Sequence, residues 1–116
     1  MKPTGKLEAV FYRSGTGAEP VRDWIKGLDV ENRKAIGADI RTAQYGWPIG
    51  MPLIRKLEPG LWEVRTKFKH GIARTLFTVS GNQLVLLHGF IKKSQKTPPN
   101  ELRTARQRLK KYQEES

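Results

Sequence analysis

"LVLLHGFI", residues 84–91, is the longest apolar run in the chain, and its reading decides the fold. It shows no alternation of polar and apolar positions. Such a strand is expected where both faces of a sheet are covered, so 84–91 is read as a central strand. The turn "SGN" (80–82) precedes it. Upstream lie two more strand candidates, "IARTLFTV" (72–79) and "GLWEVRTKF" (60–68), on either side of "KHG" (69–71). In the earlier one Trp62, Val64, Thr66 and Phe68 alternate with Glu63, Arg65 and Lys67. That spacing predicts one buried face and one wet, mostly basic face.

Downstream, the central strand runs into "KKSQK" (92–96) and then "TPPNE" (97–101). Thr97 suits the cap of a last helix and Pro98 its first turn. Leu102, Ala105, Leu109 and Tyr112 recur at helical spacing, with Glu101 at one end and Lys110 and Lys111 at the other, as the helix dipole favours. The lysines are thus expected between two ordered elements. At the other end, "LEAVFY" (7–12) is a short strand candidate and "SGTG" (14–17) a turn. "EPVRDWIKGL" (19–28) reads as a short helix whose apolar face is Val21, Trp24, Ile25 and Leu28. Asp29 is a plausible cap for a helix over 30–45, with Ile36, Ile40 and Ala43 inward and Gly46 as its stop. So short a connection predicts an antiparallel helical hairpin. The predicted order is β-α-α-β-β-β-α, an α+β fold in one domain, residues 1–116.

The 22 Lys and Arg outnumber the 11 Asp and Glu, for a net charge of +11. Such a field draws polyanions, so nucleic acid, the ribosome or an acidic protein is the expected partner class. With no cysteine, disulfides and thiolate metal sites are excluded, which suits a reducing cytoplasm. The apolar runs are too short to span a bilayer, and "MKPTGKLEAV" has no apolar segment of a signal peptide. There is no "GxxxxGK" or "GxSxG", and the carboxylates are scattered, unlike those of metal-dependent nucleases. No metal or cofactor is expected.

Arg65 lies on the wet side of its strand, and Arg74 interrupts an apolar one. An arginine in mid-strand needs a partner if buried. Two readings stand: a structural salt bridge, for example with Glu63 on the neighbouring strand, or cations delivered with Lys92 and Lys93 to one sheet face. His88 is either a satisfied core residue or a catalytic group, while His70 belongs to a solvated turn. Trp24, Trp47 and Trp62 are read as packing residues before stacking platforms. One chemistry fits these residues. RNA is cut without a metal when its 2′-hydroxyl attacks the adjacent phosphorus, given a proton acceptor, a proton donor and cations for the phosphorane.

The stretches "PVRDWI" (20–25), "KLEPGLWEVR" (56–65), "IAR" (72–74) and "LLHGFIKKSQKTPPNELRTARQRLKKY" (86–112) together resemble the HigB-like branch of the RelE/ParE toxin superfamily, the phage-derived-type toxins of type II toxin–antitoxin systems. The resemblance implies a RelE-like domain, an N-terminal strand and helical hairpin packed on a twisted, mainly antiparallel sheet, with a C-terminal helix. It implies a ribosome-dependent, metal-independent mRNA endoribonuclease that acts in the cytoplasm. The partners implied are mRNA, the ribosome and a helix-turn-helix, HigA-like antitoxin, the toxin being a monomer when free and a hetero-oligomer when bound. By position, Arg65 falls where the superfamily places phosphate contacts, and Arg74 where it keeps an arginine for transition-state charge. Lys92 and Lys93 end the strand near the scissile phosphate. His88 and Lys92 stand as candidates for proton transfer. Lys56, Lys67, Lys69, Lys96, Arg103 and Arg106 are the expected RNA-binding residues. A gyrase-poisoning, ParE-like inhibitor and a non-catalytic nucleic-acid-binding protein are the alternatives.

Overall fold

The computed structural model describes residues 7–92 and 96–115. The elements run β1 (Glu8–Phe11), α1 (Pro20–Lys26), α2 (Val30–Gly46), β2 (Ile54–Glu58), β3 (Leu61–Phe68), β4 (Gly71–Ser80), β5 (Gln83–Lys92) and α3 (Pro99–Glu115). They form a mixed α+β domain with one five-stranded sheet in the order β1-β5-β4-β3-β2. Only β1, which pairs with β5, is parallel to its neighbour. The expected order therefore lacked one strand. "IRKLE" pairs with β3 from Ile54↔Val64 to Glu58↔Leu61, and a bulge between Lys56 and Glu58 breaks its alternation. That irregularity hides the strand from a period-two reading.

β5 is an inner strand, between β1 and β4, while β4 takes the middle of the sheet; as its unbroken apolar run requires, both faces of β5 are covered. Leu84 and Leu86 join Val21, Ile36, Ile40, Val64 and Phe77 under α1 and α2. Val85, Leu87 and Phe90 join Leu61, Leu76 and Ala105 under α3. Burial of each such large side chain contributes about 1.5–3 kcal/mol. The α1–α2 face is closed by aromatic edges: Trp47 packs edge-on to Trp62 at 5.0 Å and to Phe77 at 5.7 Å. The three tryptophans are packing residues, and Trp24 lies on Gly89, where a Cβ would overlap its ring.

The local signals largely act as expected. Gly17, Gly60 and Gly81 take positive φ in the turns before α1, β3 and β5, a conformation that other residues seldom adopt. Ser14 closes the "SGTG" turn by accepting from the Ala18 amide. Asp29 stands at the N-cap of α2, yet its carboxylate makes no capping bond. Thr97 does not cap α3 either. The helix begins at Pro99, with the Pro98 carbonyl accepting from the amides of Glu101 and Leu102, and the Thr97 hydroxyl turns to Glu63 instead. The wet face expected for β3 is also only partly wet. Leu61 and Glu63 are fully buried beneath the C-terminal elements, and exposure returns only towards Lys67.

Candidate functional site

The register of β3, β4 and β5 aligns three rows on the α3 face. They are Glu63–Leu76–His88, Arg65–Arg74–Phe90 and Lys67–Ile72–Lys92. Charge and burial change together along them. Glu63 and Arg74 are fully buried, the Arg65 side chain is 14% exposed, and Lys67 and Lys92 are exposed. The site thus grades from a buried acid to open cations over three rows of one sheet.

Glu63 organises the first two rows. Arg65 and Arg74 are directly opposite each other, a like-charge pairing that destabilises a sheet unless an anion intervenes. Arg74 Nη1 donates to Glu63 Oε2 at 2.9 Å. Arg65 Nε lies 3.9 Å from that oxygen and Arg55 Nη1 lies 4.0 Å from it. The other oxygen, Oε1, accepts from the Thr97 hydroxyl at 3.1 Å. One carboxylate therefore joins three guanidinium groups to the segment that follows β5. A buried ion pair with this many partners resists the desolvation that would otherwise disfavour it.

His88 reaches this face through a bulge. Leu76 pairs with His88 but Phe77 pairs with Leu86, so Leu87 is the extra residue. Leu87 and His88 consequently point to the same side, whereas regular alternation would have sent His88 towards α1. There, His88 Nε2 lies 2.6 Å from Glu101 Oε1. Arg108 Nη1 donates to the Leu87 carbonyl at 2.9 Å and lies 3.2 Å from His88 Nδ1. A guanidinium only donates, so Nδ1 accepts and Nε2 carries the hydrogen towards Glu101. Burial lowers the Arg108 pKa from its ordinary value, against an opposing pull from Tyr12.

The expected site residues thus separate into groups. Arg65, Arg74 and Lys92 share the face, with Lys67 among them. Lys93 lies outside the described residues. Arg74 has no accessible surface and holds Glu63, the salt bridge that the sequence offered as its alternative role; direct contact with a phosphate is closed to it in this conformation. Lys69 sits at the β3–β4 tip beside a depression of about 350 Å³. Lys96, just before α3, and Arg103, on α3 itself, are exposed. Lys56 pairs with Trp62 on the α1–α2 face, away from the other cations. Arg106 is engaged by Glu58, from Nε at 3.0 Å and Nη2 at 2.7 Å. Sequence reasoning gave no site role to Glu101, Thr97 or Arg108. For Glu63 a signal existed: it is the only acidic residue between Pro59 and Asn100. A single acid among so many cations is a natural organiser.

Among known proteins the chain falls with a RelE-like toxin class, that of toxins from toxin–antitoxin systems. Residues 23–110 match the phage-derived Gp49-like family (DUF891), and the chain belongs to that family. The match includes all three rows and the His88–Glu101–Arg108 cluster. No curated protein matches the chain. Among the described residues no helix is long and apolar enough to cross a membrane.

Proposed function

We propose that this toxin is a HigB-like, ribosome-dependent mRNA endoribonuclease that needs no metal and arrests translation. The observation that carries the reading is the graded cationic face. Lys67 and Lys92 stand open to a polyanion, Arg65 is presented at the rim, and Arg74 and Glu63 fix Arg65 from behind. Phosphate needs donors held in place before it arrives, and fixed cations act most strongly where charge builds up on a phosphorane. Arg65 takes the phosphate contact, and Lys92, with Lys93 beyond it in sequence, the scissile region. Lys67, Lys69, Lys96 and Arg103 guide the strand. Arg74 supports the geometry from the interior. A HigA-like, helix-turn-helix antitoxin neutralises the toxin in a hetero-oligomer.

The test is to map mRNA 5′ ends soon after induction in cells. The parent should give cuts at codon-fixed positions, and Arg65→Ala should give none while remaining folded. Arg65→Ala is a cleaner probe than Arg74→Ala, which leaves Glu63 buried without its closest cation. Growth arrest without cuts, accompanied by a DNA-damage response, would replace this reading with a gyrase-type inhibitor.

A further inference from the structure

We infer that Glu101 is the proton acceptor of this cleavage and that His88, fixed by Arg108, is the residue that positions it. The inference rests on the ribonuclease reading and deepens it. His88 is one residue position from the arginine row on the same strand face, since Phe90 separates it from Lys92 along β5. Its ring also leans on that of Phe90 at 5.8 Å. Glu101 arrives from α3 and touches His88 with Oε1 alone. Its Oε2 has no partner among the described residues, and the side chain keeps 19% of its surface. One oxygen is thus tethered and the other is left to take a proton, on a residue held by the row adjacent to Arg65–Arg74–Phe90.

The tether has a direction. Arg108 can only donate to Nδ1, which leaves Nε2–H as the donor to Glu101. The imidazole therefore offers no free lone pair to take a proton, whereas the carboxylate does. Arg108 is itself anchored on the Leu87 carbonyl, at the bulge that turns His88 to this face. In the step that follows, Glu101 takes the proton of the 2′-hydroxyl. The 2′-oxygen forms a bond to the adjacent phosphorus, and the bond from phosphorus to the 5′-oxygen breaks. The 5′-oxygen takes a proton from water, and Glu101 returns its proton to the hydroxide so formed. The products are a 2′,3′-cyclic phosphate and a 5′-hydroxyl end.

Cleavage of ribosome-bound mRNA by purified toxin tests this. Glu101→Gln keeps an acceptor for His88 Nε2–H but removes the base. Its kcat should fall by about 10²-fold or more, with KM within about twofold of the parent. His88→Ala should lose less, and His88→Gln should recover most of that loss, because its amide can accept from Arg108 and donate to Glu101. In the parent, the nitrogen spectrum of His88 should show Nδ1 without hydrogen. A Glu101→Gln enzyme with parental kcat would overturn the role of Glu101 and leave the cluster as a clamp between α3 and β5. His88→Gln no better than His88→Ala would overturn the positioning role. A parent that cuts no mRNA fails earlier and overturns the ribonuclease reading itself.

Discussion

The two faces of the sheet are built on opposite principles. Under α1 and α2 the buried residues are aliphatic and aromatic, with Thr66 and Thr75 as the polar exceptions. Under and beside α3, by contrast, the buried set includes Glu63 and Arg74, with Arg65, His88, Glu101 and Arg108 partly covered. The first face is held by shape and apolar area. The second has its own apolar cluster, from Tyr12 and Leu61 to Phe90 and Ala105, and adds beside it charge pairs that hold one geometry. Hydrophobic area alone would have served stability as well, since buried ion pairs are seldom the most stabilising choice. Their confinement to one face is what the proposed binding of a polyanion there would call for.

The contrast can be broken most severely at Glu63. Glu63→Ala should cost about 3–5 kcal/mol in chemical denaturation, because Arg74 loses its buried partner. Replacing both, as Glu63→Leu with Arg74→Met, should restore much of that stability and leave the toxin inactive, which separates packing from function. On the other face, Gly89→Ala should cost about 1–3 kcal/mol by forcing the Trp24 ring aside. Thr97→Val removes one hydrogen bond to Glu63, worth about 1 kcal/mol in denaturation. Its activity should fall by more than that loss explains, because the segment bearing Lys96 is released from the arginine cluster.

The smallest effects sharpen the comparison at the surface. Lys56→Ala should leave growth arrest unchanged, whereas Lys67→Ala should slow it, since only Lys67 shares the face with Arg65. Arg106 holds the Glu58 carboxyl below its ordinary value, chiefly by hydrogen bonding and then by charge, with burial opposing. A lowered carboxylate pKa contributes stability above the ordinary carboxylate range and loses it as pH falls through the folded value. Arg106→Ala should therefore be slightly less stable than the parent near neutrality and indistinguishable from it in acid. Thermal unfolding across that range would show the difference, and high salt should shrink it.

Much of the hydrophobic frame was legible because periodicity reports burial. The unbroken run of β5, the alternation of β3 and the helical spacing of α3 each gave an element close to its observed bounds. What failed were features that interrupt a period. The bulge at Lys56 and Glu58 concealed β2, and the one at Leu87 concealed which way His88 faces. The candidate site was legible as cations but not as a network. Glu63 sits at a position that alternation assigns to solvent, and only the three-dimensional arrival of Thr97 and α3 closes it off. Glu101 and Arg108 looked like ordinary helix charges, because their partners lie on a strand and not on the helix itself.

The pairing of β1 with β5 carries a last consequence. Glu8 lies beside Gln83, 75 residues later, so the first strand joins the sheet only after the last one has formed. Contacts this distant in sequence slow folding and bring β5 in late during synthesis. Arg65 and Arg74 leave the ribosome before His88, Glu101 and Arg108 do. A nascent toxin therefore holds its charged residues before it holds a site, and activity should begin only once α3 has emerged. Hydrogen exchange on chains ending at Ser80 should find β1 unprotected, with protection appearing once Lys92 is included.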